Sequence, residues 1–402
     1  MRVLLVGSGG REHALARAIA RSPSLGELHL APGNPGLASL GPCHPVPADD
    51  VDALGELARR LAADLVVIGP EAPLVAGLGD ELRRAGIAVF GPGADAARIE
   101  GSKRFAKDVL AAAGVPTAAS LAAASVPCVV KADGLASGKG VFVCRTGEEL
   151  DSGLRAAGAL GEAVVVEELL EGAEVSLFAL CDGRRAVALG SARDYKRARD
   201  GDLGPNTGGM GACSPVGLPE DAAALVAQIH QPVVDELARR GTPFVGCLFA
   251  GLMLTESGPR VLEFNARFGD PETQVLIPRL EGDLLESLAA AARGEADGGG
   301  LAEGPDAAVT IVLTGPDYPA RSDYTGAAIA GLAEAERAGA LVFHGATAIR
   351  SGALVTNGGR ILSLTALASS IPEARERAYS AVEKVSFEGM RFRTDIALAG
   401  GG

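Results

Sequence analysis

The strongest constraint on the fold lies in the first hundred residues, where short apolar runs alternate with amphipathic segments. Residues 3–6 are an apolar run closed by Gly7, the pattern of a buried parallel strand. Residues 11–21 follow, with Ala14, Leu15, Ala18 and Ile19 at helical spacing. Residues 28–31, 65–68 and 87–90 read as further strands, and 52–63 and 78–85 as helices between them. A β-α-β-α alternation of this kind predicts a doubly wound α/β domain ending near Gly101.

The chain has 402 residues, enough for two or three domains. Its net charge of −13 argues against non-specific nucleic-acid binding, so anionic ligands need locally gathered Lys and Arg. The six cysteines form no C-x-x-C pair, which excludes a sequence signal for a zinc cluster or a disulfide framework and suits free thiols in a reducing compartment. Residues 1–6 are too short an apolar run for a secretory signal, and no run reaches the roughly 18 residues needed to span a bilayer. A soluble, cytoplasmic protein without nucleic-acid or membrane partners is expected.

Residues 102–113 read as a basic amphipathic helix. Residues 126–189 read as a small α+β module of short strands, with Asp182-Gly183 as the turn of a hairpin between 175–181 and 184–189. Residues 193–215 lack periodicity and are rich in glycine and charge, which predicts a long functional loop. A helix over 222–240, a hairpin of 244–254 and 260–265, a helix over 283–293 and a linker over 295–305 lead to a third, mixed α/β region at 307–396.

Four segments carry chemistry. Gly7-Ser8-Gly9 opens GSGGREH, but Glu12 stands where a dinucleotide fingerprint needs its third glycine. Amides at a helix start suit a phosphate, while a glycine turn closing an α/β unit would look the same, and spacing alone leaves both open. KADGLASGKGV at 131–141 is not a Walker A loop. Its Gly138 and Gly140 flank Lys139, and Lys131 ends a strand, so amides and ammonium groups converge on one anion in preference to forming a solvated hairpin. In VLEFNARFGDPE at 261–272, strand alternation puts Leu262, Phe264 and Ala266 on one face and Glu263, Asn265 and Arg267 on the other. A carboxylate and an amide oxygen two residues apart suit Mg²⁺ better than a merely solvated face. The fourth segment, DYKR followed by DGDLGPNTGGMG, reads as a ligand-wrapping loop, though alone it does not exclude a mobile surface loop.

Taken together, GSGGREHALA, APGNPG, GPEAPLV, EGSKRFAKD, KADGLASGKGV, GPNTGGMGA, EFNARFGDPETQ and VTNGGRILSLTAL cover nearly the whole chain. In that order they resemble the glycinamide ribonucleotide synthetases, the phosphoribosylamine–glycine ligases of the ATP-grasp superfamily. GPNTGGMG argues against an ATP-grasp ligase that forms a carboxyphosphate, and the interrupted G-x-G-x-x-G against a dinucleotide-binding protein. Two departures stand out: Tyr195 replaces a usual His, and Ala266 a frequent Cys.

The resemblance implies an N-terminal, biotin-carboxylase-like α/β substrate domain (1–102), an ATP-grasp domain (103–306) with an α+β lid over 117–181, and a mixed α/β C-terminal domain (307–398). It implies ATP and Mg²⁺ (or Mn²⁺) as cofactors, and glycine and phosphoribosylamine as substrates of a monomer. Lys103, Lys131 and Lys139 would face phosphates together with Gly138 and Gly140. Glu167 would contact the nucleotide, Glu168 to Leu170 would offer backbone to adenine, Glu174 would hold the ribose, and Glu263 and Asn265 the metal. Lys139, Arg267 and Asp194 would be catalytic. Gly9, Gly10, Glu71, Lys196, Asn206, Gly208, Gly209, Arg267 and Asp270 would bind substrate.

Overall fold

The computed structural model of the chain describes residues 1–135, 140–161, 163–297 and 300–398. The expected alternation at the N-terminus is present. Four parallel strands run in the order Glu27–Pro32, Arg2–Gly7, Leu65–Ile68, Ala88–Phe90. From Arg2–Gly7 the chain crosses first to one neighbour and later to the other. The carboxyl ends of Arg2–Gly7 and Leu65–Ile68, at Gly7 and Gly69, therefore form the switch point at which such sheets bind ligands. An unexpected helix, Ala94–Gly101, follows. It buries small Ala96 and Ala97 beside Ile99 and Glu100, a face with little hydrophobic signal.

The largest element is an eight-stranded sheet. Edge to edge it runs Gly258–Asn265, Val245–Thr255, Ala173–Asp182, Ala186–Asp194, Gly211–Ser214, Ala307–Thr314, Arg360–Ala368, Leu341–His344. Three expectations need correction here. The strand over 175–181, grouped on sequence with the small module, lies between two partners in this sheet; its residues are buried on both faces, which suits an interior strand. The stretch 193–215 is not structureless: Arg197–Arg199 pairs with Leu203–Asn206, and Gly211–Ser214 pairs on both sides. Gly211–Ser214 thereby joins the strands that follow residue 307 to the central sheet, so the third region extends that sheet. The expected linker holds a short strand, Leu301–Glu303, paired with Leu280–Gly282.

A separate three-stranded sheet, ordered Val141–Cys144, Cys128–Ala132, Val164–Glu168, is covered by the helix Gly147–Leu160, an α+β arrangement as expected for this stretch. Among the described residues its fully buried core is Cys128, Val130, Ala132, Cys144 and Ala157. The two larger sheets share extensive cores that include the helix Ala222–Arg239. In the edge hairpin, Gly251 faces Glu263 but Leu252 faces Val261, so Leu262 is the extra residue of a bulge. The bulge shifts the alternation: Val261, not Leu262, joins Phe264 and Ala266 in the core. Glu263, Asn265 and Arg267 keep the opposite face, as strand alternation from Phe264 onward requires.

Candidate active site

The edge strand Gly258–Asn265 delivers Glu263 into a cluster of cations. Burial opposes its ionisation, but Lys196, Lys103, Lys131 and Arg267 outweigh burial and hold its carboxyl below the usual range. Lys196 lies 3.9 Å from Glu263 and makes a short ion pair with Glu174. Lys131 projects from Cys128–Ala132 and is 93% shielded from solvent at its side chain; its Nζ donates to the Leu262 carbonyl at 2.8 Å and pairs with Glu167 at 2.7 Å. Lys103 begins the helix Lys103–Ala113, which Ser102 caps through the Phe105 amide, and its Nζ reaches the Gly134 carbonyl at 3.4 Å. Gly138 and Lys139 lie outside the described residues. Gly140 is buried, and its carbonyl accepts from the Ala132 amide at 2.8 Å.

In the strand Val164–Glu168 of the three-stranded sheet, the Glu167 side chain turns inward to Lys107 and Lys131. The Glu168 carboxylate accepts from the Ala119 amide at 2.8 Å, and Leu170 follows just beyond the strand, half-buried. As for a divalent metal, Glu263 and Asn265 are two hard oxygen donors on one face. Among the described residues no group of three or more His, Cys, Asp or Glu stands ready to hold an ion. That sparse donor set fits Mg²⁺, which keeps waters and takes phosphate oxygens, and it does not fit a site built wholly of protein ligands.

Arg267 is clasped by two carboxylates, Glu71 at 3.2 Å and Glu100 at 3.0 Å. Glu71 thus faces Arg267. Burial works against the Arg267 charge, but Glu100 and Glu71 more than offset it and raise its pKa. Glu100, from the unanticipated helix, also accepts from the Ala266 amide at 2.8 Å. The sequence signal that could have found it is its place at the head of EGSKRF, three residues before Lys103. Asp194 is pushed well above the usual carboxylate range by burial and by nearby Glu272. Among the described residues, its Oδ1 and the Oε1 of fully buried Gln274 have no hydrogen-bond partner. Tyr195 points away from both, into the core beside Met210 and Cys213, with Arg193 and Arg393 over its ring. Ala266 likewise faces the core, so neither departure from the motif alters a group of the site.

The GPNTGGMG segment closes on this cluster. Asn206 reaches the Val141 carbonyl across to the lid at 3.5 Å. The Gly208 amide donates to the Tyr318 hydroxyl at 2.9 Å, and its carbonyl accepts from Arg360. Gly209 has φ +106, and a β-carbon there would stand 2.3 Å from Pro271 Cδ and 2.7 Å from Asp194 Oδ1, so only glycine fits. Arg360, from the strand Arg360–Ala368, also donates to the Asp270 carbonyl at 2.7 Å and pairs with its carboxylate at 3.2 Å. Burial opposes ionisation of Asp270, but Arg360 and Arg11 prevail and its carboxyl is lowered.

Beyond Arg360 opens a pocket of about 530 Å³. Ser8, Gly9, Gly10 and Asn34 line one side, Tyr318, Thr347, Arg360 and Ser363 the other, with Asp270 at its edge. The N-terminal loop does reach this pocket, but not with a free amide at Gly9. Glu12 folds back and accepts the Gly9 N–H at 2.7 Å, while pairing with Arg11. Its side chain fills the space that β-carbons at Gly7 and Gly69 would need. Asn34 ties the loop to the far wall, donating to the carbonyls of Ser8 (2.8 Å) and His344 (2.9 Å). Sequence reasoning missed Arg360 and Tyr318: nothing in VTNGGRILSLTAL marks Arg360 as the residue that turns inward, and Tyr318 lies outside every segment read for chemistry.

Comparison with known proteins agrees with this geometry. Residues 1–100 match the phosphoribosylglycinamide synthetase N domain, residues 101–273 its ATP-grasp (A) domain, and residues 308–399 its C domain. The chain is 50% identical over 420 residues to a phosphoribosylamine–glycine ligase of Streptomyces coelicolor, covering 100% of both chains. It is 47% identical to one of Brucella melitensis, covering 98% of this chain and 97% of that one. The crystal structure of a phosphoribosylamine–glycine ligase from Thermotoga maritima superposes with a TM-score of 0.84 at 34% identity, over 98% of this chain and all of that one. A biotin carboxylase domain from Hydrogenobacter thermophilus shares the fold at 18% identity and a TM-score of 0.69, over 97% of this chain and 91% of that one.

Proposed function

The chain belongs to the phosphoribosylglycinamide synthetase family, and on that premise we propose that it joins glycine to 5-phosphoribosylamine with ATP, giving glycinamide ribonucleotide, ADP and phosphate in purine biosynthesis. The observation that carries the reading is the continuity of the site. A cluster of lysines around Glu263 runs through Arg267, Asp194 and Asp270 into the pocket between the N-terminal loop and Arg360.

In this reading the nucleotide lies between the three-stranded lid and the large sheet, within the unit over 103–306. Lys103, Lys131 and Lys139 take its phosphates, and the segment 168–170 and Glu174 its adenosine. Glu263 and Asn265 hold a divalent ion, Mg²⁺ or Mn²⁺, which when bound supplies charge neutralisation at the phosphates. A glycine carboxylate oxygen attacks the γ-phosphorus, the bond to the ADP oxygen breaks, and glycyl phosphate forms. The amine of phosphoribosylamine then attacks the acyl carbon, phosphate leaves, and the amine surrenders a proton. No protein nucleophile is required; the side chains position groups and balance charge.

Among the described residues, buried Asp194 Oδ1 and Gln274 Oε1 lack donors, and an amine or ammonium is the donor chemistry such acceptors want. The sugar phosphate is assigned to the pocket, where Arg360 and the hydroxyls of Tyr318, Thr347 and Ser363 offer the polar groups. Arg267 and Lys196 neutralise charge between the two substrates. Among the described residues no helix is long and apolar enough to cross a membrane, and we place the enzyme in the cytoplasm as a monomer. The testing experiment is ADP release by purified protein: release requiring both glycine and phosphoribosylamine supports the reading, and release indifferent to either refutes it.

A further inference from the structure

One cation beside the nucleotide site has no place in the mechanism above. Lys107 stands one turn beyond Lys103 in the helix Lys103–Ala113. Its Nζ pairs with Glu167 Oε1 at 2.8 Å, donates to Thr117 Oγ1 at 2.9 Å and donates to the Ala118 carbonyl. Those three acceptors saturate an ammonium. The Thr117 hydroxyl in turn donates to the Val261 carbonyl at 2.7 Å, fixing the arrangement to the strand that carries Glu263. The other oxygen of Glu167 pairs with Lys131 at 2.7 Å. One carboxylate, 2% exposed, therefore bridges two ammonium groups that differ in their remaining contacts.

A nucleotide phosphate that draws Lys131 toward itself must weaken the pair between Lys131 and Glu167. Left alone, a carboxylate buried to that degree is costly. With Lys107 in place, it is not left alone. We propose that Lys107 is a positioning residue for ATP, holding Glu167 as a permanent partner so that Lys131 is the spare positive charge of the triad and is free to engage phosphate. The inference rests on the reading of Lys131 as a phosphate contact. Lys107 itself stays behind the strand, bound to Thr117 and Ala118, and does not touch the nucleotide.

The test is charge bookkeeping in the full-length protein, read by titration calorimetry with a non-hydrolysable ATP analogue and by steady-state kinetics. Lys107→Gln leaves Glu167 with Lys131 as its only cation, so the analogue's Kd and the KM for ATP should rise about tenfold, with a much smaller change in kcat. Lys107→Arg keeps the charge and should restore most of that loss. The double variant Lys107→Gln/Glu167→Gln removes the trap and should bind the analogue within about threefold of wild type. If Lys107→Gln is too unstable to assay, the double variant against wild type decides the matter by the same criterion.

An unchanged ATP affinity in Lys107→Gln, or a double variant no better than the single, overturns the proposal; the second result is what a purely structural anchor for Thr117 and Ala118 would give. Lys131→Ala separates this failure from failure of the underlying reading. Loss of affinity there with none in Lys107→Gln sinks only the role of Lys107. Unchanged affinity in Lys131→Ala sinks the phosphate assignment itself.

Discussion

Two glycine-rich turns look alike in the sequence and are built to opposite ends. The turn from Gly7 to Glu12 is full: β-carbons at Gly7, Gly9 and Gly69 would each come within 3.0 Å of the Glu12 side chain, which caps the following helix. It stands on fully buried strands. At the start of the second, Gly134 has φ +120, and among the described residues a β-carbon there would meet nothing within 4 Å. It follows a strand of a small sheet whose fully buried core, among the described residues, is five residues. Glycine serves the first turn by letting the chain pack on itself, and at Gly134 by permitting a positive φ.

The largest expected effect tests the side of the second turn. Glu263→Gln should fold normally and lose on the order of 10²–10³ in kcat, because the charge lost stands among the lysines proposed to take phosphates; near wild-type turnover at saturating Mg²⁺ would remove Glu263 from the proposed metal site.

Acid tests the closed side next. His13 and His344 pack together behind the N-terminal loop, with the His344 amide donating to His13 Nδ1 at 2.9 Å. Burial lowers His13 to about 3 and His344 to about 4. Both are depressed below the unfolded value of 6.5, so the unfolded chain binds more protons in this window. Their stability is present above pH 6.5 and is lost as pH falls toward 4, on the order of 3 kcal/mol for His344 alone. Denaturant melts between pH 7 and pH 4.5 should show it, and a His344→Gln variant should flatten the slope; an unaltered slope would contradict the assignment.

Gly7→Ala should cost about 2–3 kcal/mol, combining left-handed strain with a collision at Glu12 Cγ. Gly134→Ala should cost about 1 kcal/mol, the strain alone. Equal shifts in melting would erase the contrast between the turns. Smaller still in its reach, Gly9→Val should raise the KM for phosphoribosylamine about tenfold and leave affinity for an ATP analogue intact. Loss of ATP binding instead would exchange the two sites.

How much of this was legible beforehand follows from the same contrast. The parallel strands were legible because continuous apolar runs bounded by glycine have few other uses. The polar face of Glu263, Asn265 and Arg267 was legible from alternation, but the bulge at Leu262 was not, because nothing local distinguishes a bulged strand from a regular one. The segment 193–215 hid three short strands because its side chains serve a site and a turn, not a repeating face. The resemblance named candidate residues for the site; it did not say which already hold one another. That Glu12 occupies its own loop, that Glu71 and Glu100 clasp Arg267, and that Lys107 shares Glu167 with Lys131 are pairings between distant segments, visible only once the chain is folded.

The central claim is that this cluster activates a carboxylate by phosphorylation and passes it to an amine. It is tested most directly with glycine carrying ¹⁸O in its carboxylate, turned over with ATP and phosphoribosylamine, followed by mass spectrometry of the phosphate released. The account predicts one ¹⁸O atom in each phosphate and none in ADP, because the oxygen that attacks phosphorus leaves with it. Phosphate free of label would show that glycine is never phosphorylated, and would contradict the account.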